Sequence, residues 1–324
     1  MVSTMRGADR GAPVPRPSSV SRVRRRRRTV VLGLALLFLL VAGDAALLSG
    51  RVSELDVDLR LGAADGETWV LVGLDSRGTL PSGAAAQFGT AEEVPGSRAD
   101  VVLVVRDDGT ETTVLSVPRD VVVNTADGPG RLALTWNDGP QETVDSLCGL
   151  GIPADHLVAV DLAGFQDVVD AVGGLDIHVP QPIRDPAAGL LLTRSGRRHV
   201  DGATALALVR SRHPEHLVDG AWVPVAVDPD GRAESAGMVL GALVEQARSS
   251  GTRPWQLQSL AWAASGALAV DPETSTAELG ALLRADLDAV RVLPVGDPVG
   301  GSLARFPTAA TATALADAGL SCTP

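Results

Sequence analysis

Two apolar runs, Val101–Val105 and Thr112–Val117, flank Asp107-Asp108-Gly109-Thr110. Short valine-rich runs bounded by turn residues read as strands. Asp-Gly between them reads as a tight hairpin, because both central residues of a two-residue loop need positive φ. Taken as such a loop, the turn pairs Asp107 with Thr110. That register sets Asp100 opposite Val117 and Arg98 opposite Arg119, with Asp120 close by. Like charges directly opposite each other destabilise a ladder. Two readings stay open: the guanidiniums splay into water, or they await a multivalent anion while the carboxylates hold a divalent cation.

The flanking segments alternate in type. Thr68–Leu74 (TWVLVGL) is a continuous apolar run, as in a strand buried on both faces, and it ends in Asp75-Ser76-Arg77-Gly78. Ligands of α/β sheets gather at such strand tips. Residues 79–97 read as a loop. Pro140–Leu150 predicts a helix with Asp138 as N-cap and Gly149 or Gly151 ending it. His156–Val160 predicts a strand, Leu162–Val172 an amphipathic helix stopped by Gly173-Gly174, and Leu175–Val179 another strand. Such alternation indicates a layered α/β domain. His156 and His178 show no metal-ligand spacing and read as structural. Asp201–Ala207 reads as helical. Leu208–His213 reads as a strand with Arg210 and Arg212 on one face. Residues 214–231 read as a polar loop, Arg232 opens a helix to about Arg248, and Val290–Val295 reads as the last strand.

Charge is divided unevenly. Residues 1–28 carry nine arginines against Asp9, a net +8, so a total of −11 leaves −19 for the remainder. An acidic body argues against nucleic acid as a partner. Five arginines, Arg24–Arg28, precede an apolar stretch from Val30 to Leu48 interrupted only by Asp44. That length is just enough to span a bilayer, and the arginine block sets the N-terminus in the cytoplasm. The expected organisation is therefore a disordered basic tail (1–28), a single-pass transmembrane anchor in the cell membrane (29–49), a linker (50–66), an extracytoplasmic domain (67–295) and a C-terminal tail (296–324). A cleaved signal peptide, with its apolar core ending at Gly43, is the rival. Cys148 and Cys322 are the only cysteines, and outside the cytoplasm a disulfide between them is expected.

The polar residues at element ends are Asp75, Arg77, Arg98, Asp100, Arg119, Arg210, Arg212 and Arg232. Several guanidiniums with two or three carboxylates suit a pyrophosphate bound through a divalent cation. No Ser-His-Asp ordering, CxxC pair or P-loop competes.

These pieces, in order VLVGLDSRG, SRADVVLVV, LSVPRD, GFQDVVDAVGG, VDGATALALVRSRH and DGR, resemble the LytR-CpsA-Psr proteins of bacterial envelopes over roughly residues 67–248. The resemblance implies a layered α-β-α domain with a central mixed sheet behind one N-terminal transmembrane helix. It further implies a phosphotransferase that moves a glycopolymer from a polyprenyl-pyrophosphate carrier to peptidoglycan with Mg²⁺. Asp75 and Asp100 would be the metal ligands. Arg98, Arg119 and Asp100 would form the catalytic set. Arg77, Arg210, Arg212 and Arg232 would bind substrate, with the lipid in an apolar pocket beneath a sheet–helix layer. The pattern departs at Ser235 and Ala236, where the family carries Arg and Gln, and at RLALTWN. That departure supports a second reading, a relative that binds polyprenyl-phosphate lipid or wall polymer without transfer.

Overall fold

The computed structural model describes residues 35, 38, 39, 41–62, 66–76, 96–225, 229–251, 253–282, 285, 287 and 290–322, with the backbone alone in 229–234. The chain divides after Leu47. In the first part, residues 41–47 are helical. Among the described residues no helix is long and apolar enough to cross a membrane, and the apolar stretch read as an anchor lies partly outside them.

In chain order the body runs β1 (Ser53–Glu54), β2 (Glu67–Leu74), β3 (Ala99–Asp107), β4 (Thr112–Val117), β5 (Val122–Thr125), β6 (Gly128–Arg131), α1 (Pro140–Leu150) and β7 (His156–Asp161). It continues through α2 (Leu162–Ala171), β8 (Leu175–Val179), β9 (Ile183–Asp185), β10 (Leu190–Leu192), β11 (Gly196–Val200), α3 (Gly202–Arg210), β12 (Glu215–Val218) and β13 (Ala221–Pro224). The last part is α4 (Pro229–Ser250), α5 (Pro254–Ala267), β14 (Leu268–Val270), α6 (Thr276–Leu282), β15 (Val290–Val292) and α7 (Ala309–Asp317).

The main sheet has the order β1-β14-β7-β2-β3-β4-β15. It is mixed: β2 runs parallel to β7 and β4 to β15, whereas β3 is antiparallel to both β2 and β4. The carboxyl ends of β2, β4 and β7 and the amino end of β3 therefore share one edge. Period-2 alternation divides the side chains between two layers. Val70, Val72, Val102, Val104, Leu115 and Val117 pack with Leu132, Leu147 and Leu315 on one face. Trp69, Val105, Val114 and Val158 pack with Val244 and Leu287 on the other. A third cluster joins α2, α3, α4 and α5 to β8 through Val169, Leu175, Leu208, Val239 and Leu260. Glycines let these helices approach closely. A Cβ on Gly164 would lie 2.7 Å from that of Ala267, and one on Gly202 would lie 2.4 Å from the Gln166 carbonyl oxygen.

Several local expectations hold. Helix α1 has the bounds its Pro and Gly signals indicate, ending in a left-handed Gly151, although Gly139 rather than Asp138 is the N-cap. The helix expected from Leu162 is α2, and the side chains of Asp161 and Asp201, which the sequence reading did not single out as caps, cap α2 and α3. His156 is structural, hydrogen-bonded to Thr274 and stacked on Trp69.

Others are corrected. Leu208–His213 is not a strand: α3 runs through Arg210, because the Asp201 cap and an Ala/Leu run favour helix over extension. Part of the segment 214–231 pairs as the hairpin β12–β13. The stretch read as a linker contains β1, paired with β14, and the buried Val57. The stretch after residue 295 is not a loose tail: Leu315, Ala318 and Leu320 enter the main core, and Cys322 is disulfide-bonded to Cys148 of α1.

Candidate active site

Asp75 follows β2 directly, and its N–H donates to the Arg98 carbonyl at 2.9 Å. Between β2 and β3 the register shifts: Gly73 pairs with Val101 and Leu74 with Ala99. Asp100 is thus the extra residue of a β-bulge. Bulges locally bend a strand and re-aim a side chain, and here the side chain is a carboxylate at the shared edge.

The hairpin loop is longer than a two-residue turn. The last ladder pair is Asp107 with Thr112, so Asp108–Glu111 form the loop. Its organiser is Asp108, whose carboxylate accepts from the Thr110 hydroxyl at 2.7 Å, the Thr110 N–H at 2.8 Å and the Glu111 N–H at 2.9 Å. The Thr110 hydroxyl above all, then the two amides, lower its pKa from 3.8 to about 2. The longer loop slides the ladder by two residues. A slide of two leaves every side chain on its original face but changes partners. Val102 now pairs with Val117, which carries Asp100, not Arg98, opposite Arg119. A repulsive pair becomes an ion pair.

Asp100 binds Arg119 through one carboxylate oxygen and Arg212 through the other, the latter at 2.5 Å. Arg119 also lies 3.5 Å from Asp120, which pairs with Arg131 at 3.2 Å. Asp75 lies 3.8 Å from Arg210. The side chains of Arg119, Asp100, Asp75 and Asp120 are 12%, 15%, 6% and 8% exposed, so most of this charge is withdrawn from water. Arg212, at 42%, forms the open side.

Arg98 is half-buried, and no described carboxylate lies within ion-pair distance of it. Arg77 lies outside the described residues. Arg232 is in the first turn of α4, with its side chain outside them. The structure therefore brings Asp75, Asp100, Arg119, Arg210 and Arg212 together, with Arg98 attached through its backbone.

Two residues that sequence reasoning passed over hold the loops in place. Asp185, 1% exposed, accepts from the Ser211 hydroxyl at 2.9 Å and from the Arg212 and His213 amides at 2.8 Å each. Its other oxygen accepts from the Ala187 and Ala188 amides. Burial alone pushes the carboxyl pKa up and is the largest single influence, but the hydrogen bonds from His213, Arg212, Ser211 and Ala188 together bring it below its ordinary value. In sequence, Asp before Pro signals only a turn. Asn137 accepts from the Ser97 amide at 3.0 Å and sits against Gly96, where a Cβ would come within 2.3 Å of its oxygen. Gly96, at φ 92°, allows that approach just ahead of Arg98.

Among the described residues no group of three or more His, Cys, Asp or Glu side chains converges as a metal cage. The carboxylates gathered at the site are Asp75, Asp100 and Asp120. A cleft of about 830 Å³ extends from Ser76 and Ser97, next in sequence to Asp75 and Arg98, past Trp136 and Asp161 to Arg51 and Trp262.

Residues 45–281 match the model of the LytR_cpsA_psr family. The chain is 37% identical over 157 residues to the probable cell wall biosynthesis protein LcpB of Corynebacterium glutamicum, covering 45% of this chain and 36% of that protein. It is 32% identical over 165 residues to the polyisoprenyl-teichoic acid–peptidoglycan teichoic acid transferase TagV of Bacillus subtilis, covering 47% of this chain and 40% of that one. The chain thus spans well under half the length of these two curated relatives. A solved LytR-Csp2A-Psr enzyme from Actinomyces oris superposes with a TM-score of 0.69 at 35% identity, covering 84% of this chain and 97% of that one. With its mixed α/β fold, its ordered motifs and this match, the chain belongs to the LytR_cpsA_psr family.

Proposed function

We propose that the protein is a membrane-anchored, extracytoplasmic phosphotransferase that moves a glycopolymer from a polyprenyl-pyrophosphate carrier onto peptidoglycan. The observation that carries this reading is Asp100 held between Arg119 and Arg212, with Asp75 beside Arg210. Guanidinium forks that meet carboxylate oxygens match phosphate oxygens equally well. A pyrophosphate entering from the Arg212 side takes over these guanidiniums and frees the carboxylates. The teichoic acid and peptidoglycan in the name of TagV support the choice of donor and acceptor classes.

In the reaction a sugar hydroxyl of the acceptor attacks the phosphorus that bears the glycan. The bond from that phosphorus to the bridging oxygen breaks, polyprenyl phosphate leaves, and the hydroxyl proton is released. Arg119 and Arg212 stabilise the charge that develops on the phosphoryl oxygens, in surroundings where most of the water is excluded. The donor set fits Mg²⁺, which takes one or two carboxylates and completes its shell with water and phosphate oxygens. Asp75 and Asp100 would hold it, and the bound ion would neutralise pyrophosphate charge.

A second reading, lipid or polymer binding without transfer, is favoured by Ser235 and Ala236. Ala236 is a small residue, 8% exposed, built into α4 where the family carries a polar side chain. One assay separates the two readings. The purified chain is given Mg²⁺, lipid-linked glycan and peptidoglycan oligomers, and the product is followed by mass. Glycan joined to peptidoglycan supports transfer. Lipid bound without any product leaves the binding reading standing.

A further inference from the structure

Helix α5, Pro254–Ala267, has the sequence PWQLQSLAWAASGA and carries no charged residue, in a body whose net charge is −19. Its exposed positions are also unusual. Trp255 is 71% exposed and Trp262 51%. With Ser259 and Gly266 they recur at helical spacing and form one outward face. Leu260 and Ser265 are buried. Two tryptophans displayed on an uncharged helix face are costly to leave in water, and their apolar rings with a polar N–H suit a boundary between apolar and wet surroundings.

Arg51 lies at one end of this face. The Arg51 N–H donates to the Leu48 carbonyl at 3.1 Å, a turn that keeps the two Cα atoms within about 7 Å. Leu48 is the last residue of that stretch. The Arg51 guanidinium lies 3.9 Å from the centre of the Trp262 ring, and its Nε donates to the Ser265 hydroxyl at 3.3 Å. Gly266 leaves the notch for it, since a Cβ there would come within 2.6 Å of an Arg51 nitrogen. Arg253 borders the other end of the helix. Leu48 thus lies one turn from the cation on the tryptophan face, and cations flank that face at both ends.

We infer that the Trp255–Trp262 face of α5 lies on the headgroup layer of the bilayer that residues 30–48 cross. This inference rests on the anchored reading above. Tryptophan rings concentrate at that layer, and Arg51 and Arg253 meet its phosphates. The cleft that ends at Arg51 and Trp262 then opens at the membrane surface, so a lipid-borne pyrophosphate reaches Ser76 and Ser97, next in sequence to Asp75 and Arg98, without its carrier leaving the bilayer.

The test uses the full chain in liposomes of phosphatidylcholine and phosphatidylglycerol, with and without bromine atoms high on the acyl chains. Urea washing and flotation first establish whether the chain is inserted. Tryptophan emission is then compared between the two lipid sets for wild type, Trp222→Phe and Trp255→Phe/Trp262→Phe. The expected result is inserted chain, with brominated lipid removing the share of emission due to two of the five tryptophans. Quenching persists in Trp222→Phe and is lost in the double variant. Inserted chain with equal emission in both lipids, or quenching that survives the double change, overturns the seating of α5 and leaves the anchor intact. Chain released by urea defeats the anchored reading and this inference with it.

Discussion

Asp100 and Arg119 face each other two residues beyond the last regular rung of β3 and β4, and form an ion pair largely shielded from water. Arg119→Ala removes a guanidinium from the phosphoryl site, and transfer should fall by about 10²–10³-fold. Folding should suffer less. Asp100 keeps Arg212 and Asp120 keeps Arg131, so neither carboxylate is stranded and a cost of about 1–3 kcal/mol is expected. Turnover and urea unfolding measured on one preparation check both numbers, and full activity in the variant would remove Arg119 from the mechanism.

Asp185→Asn replaces an acceptor of five hydrogen bonds by an amide whose nitrogen must face donors. Stability should drop by about 1–3 kcal/mol. Because Asp185 holds the Arg212 backbone, KM for the lipid-linked donor should rise along with the loss. Unchanged KM in protein that remains folded would limit Asp185 to a structural part.

The pH dependence follows from carboxyls whose pKa folding lowers. Asp108 falls from 3.8 to about 2, and Asp185 also lies below its ordinary value. Below 3.8 the unfolded chain takes up protons that the folded chain refuses. The stability due to these groups is therefore complete above that pH and is lost as pH falls through the lowered values. Urea midpoints should be insensitive to these carboxyls near neutrality and decline between 3.8 and about 2. Asp108→Asn should flatten part of that decline, and an unaltered acid limb would contradict the assignment.

Cys148 and Cys322 are joined across 174 residues. Opening so long a loop should cost about 2–4 kcal/mol. Thiol titration of denatured, unreduced protein should find no reactive group. Cys322→Ser should lower the thermal midpoint and loosen the contacts of Leu315 and Leu320 with the core. Two titratable thiols would refute the bridge.

Substitutions at Ser235 and Ala236 should have opposite consequences. Ser235 is half-buried and Ala236 buried on α4. Ser235→Arg should raise transfer by restoring a guanidinium within one turn of Arg232. Ala236→Gln should destabilise by about 1–3 kcal/mol through overpacking. Rates and unfolding midpoints of the two single variants check this separately, and a stable Ala236→Gln protein would show that α4 has room to shift.

Amino-acid order by itself determined the strand at Thr68–Leu74, the helix at Pro140–Leu150 and the helix after Asp161, because valine runs, a proline at a first turn and aspartate caps act within a few residues. It also placed Asp75, Asp100, Arg119, Arg210 and Arg212 at element ends, where charge can meet charge. Which charge meets which was decided only in three dimensions. Hydrogen bonds to Asp108 lengthened a loop by two residues and exchanged Arg98 for Asp100 as the partner of Arg119. Asp185, 26 residues before Ser211, holds the backbone that carries Arg212. Arg51 found Ser265 across 214 residues. Such pairings exist only after the sheet has ordered its strands, so their energies lie in contacts between segments that no short stretch of sequence contains.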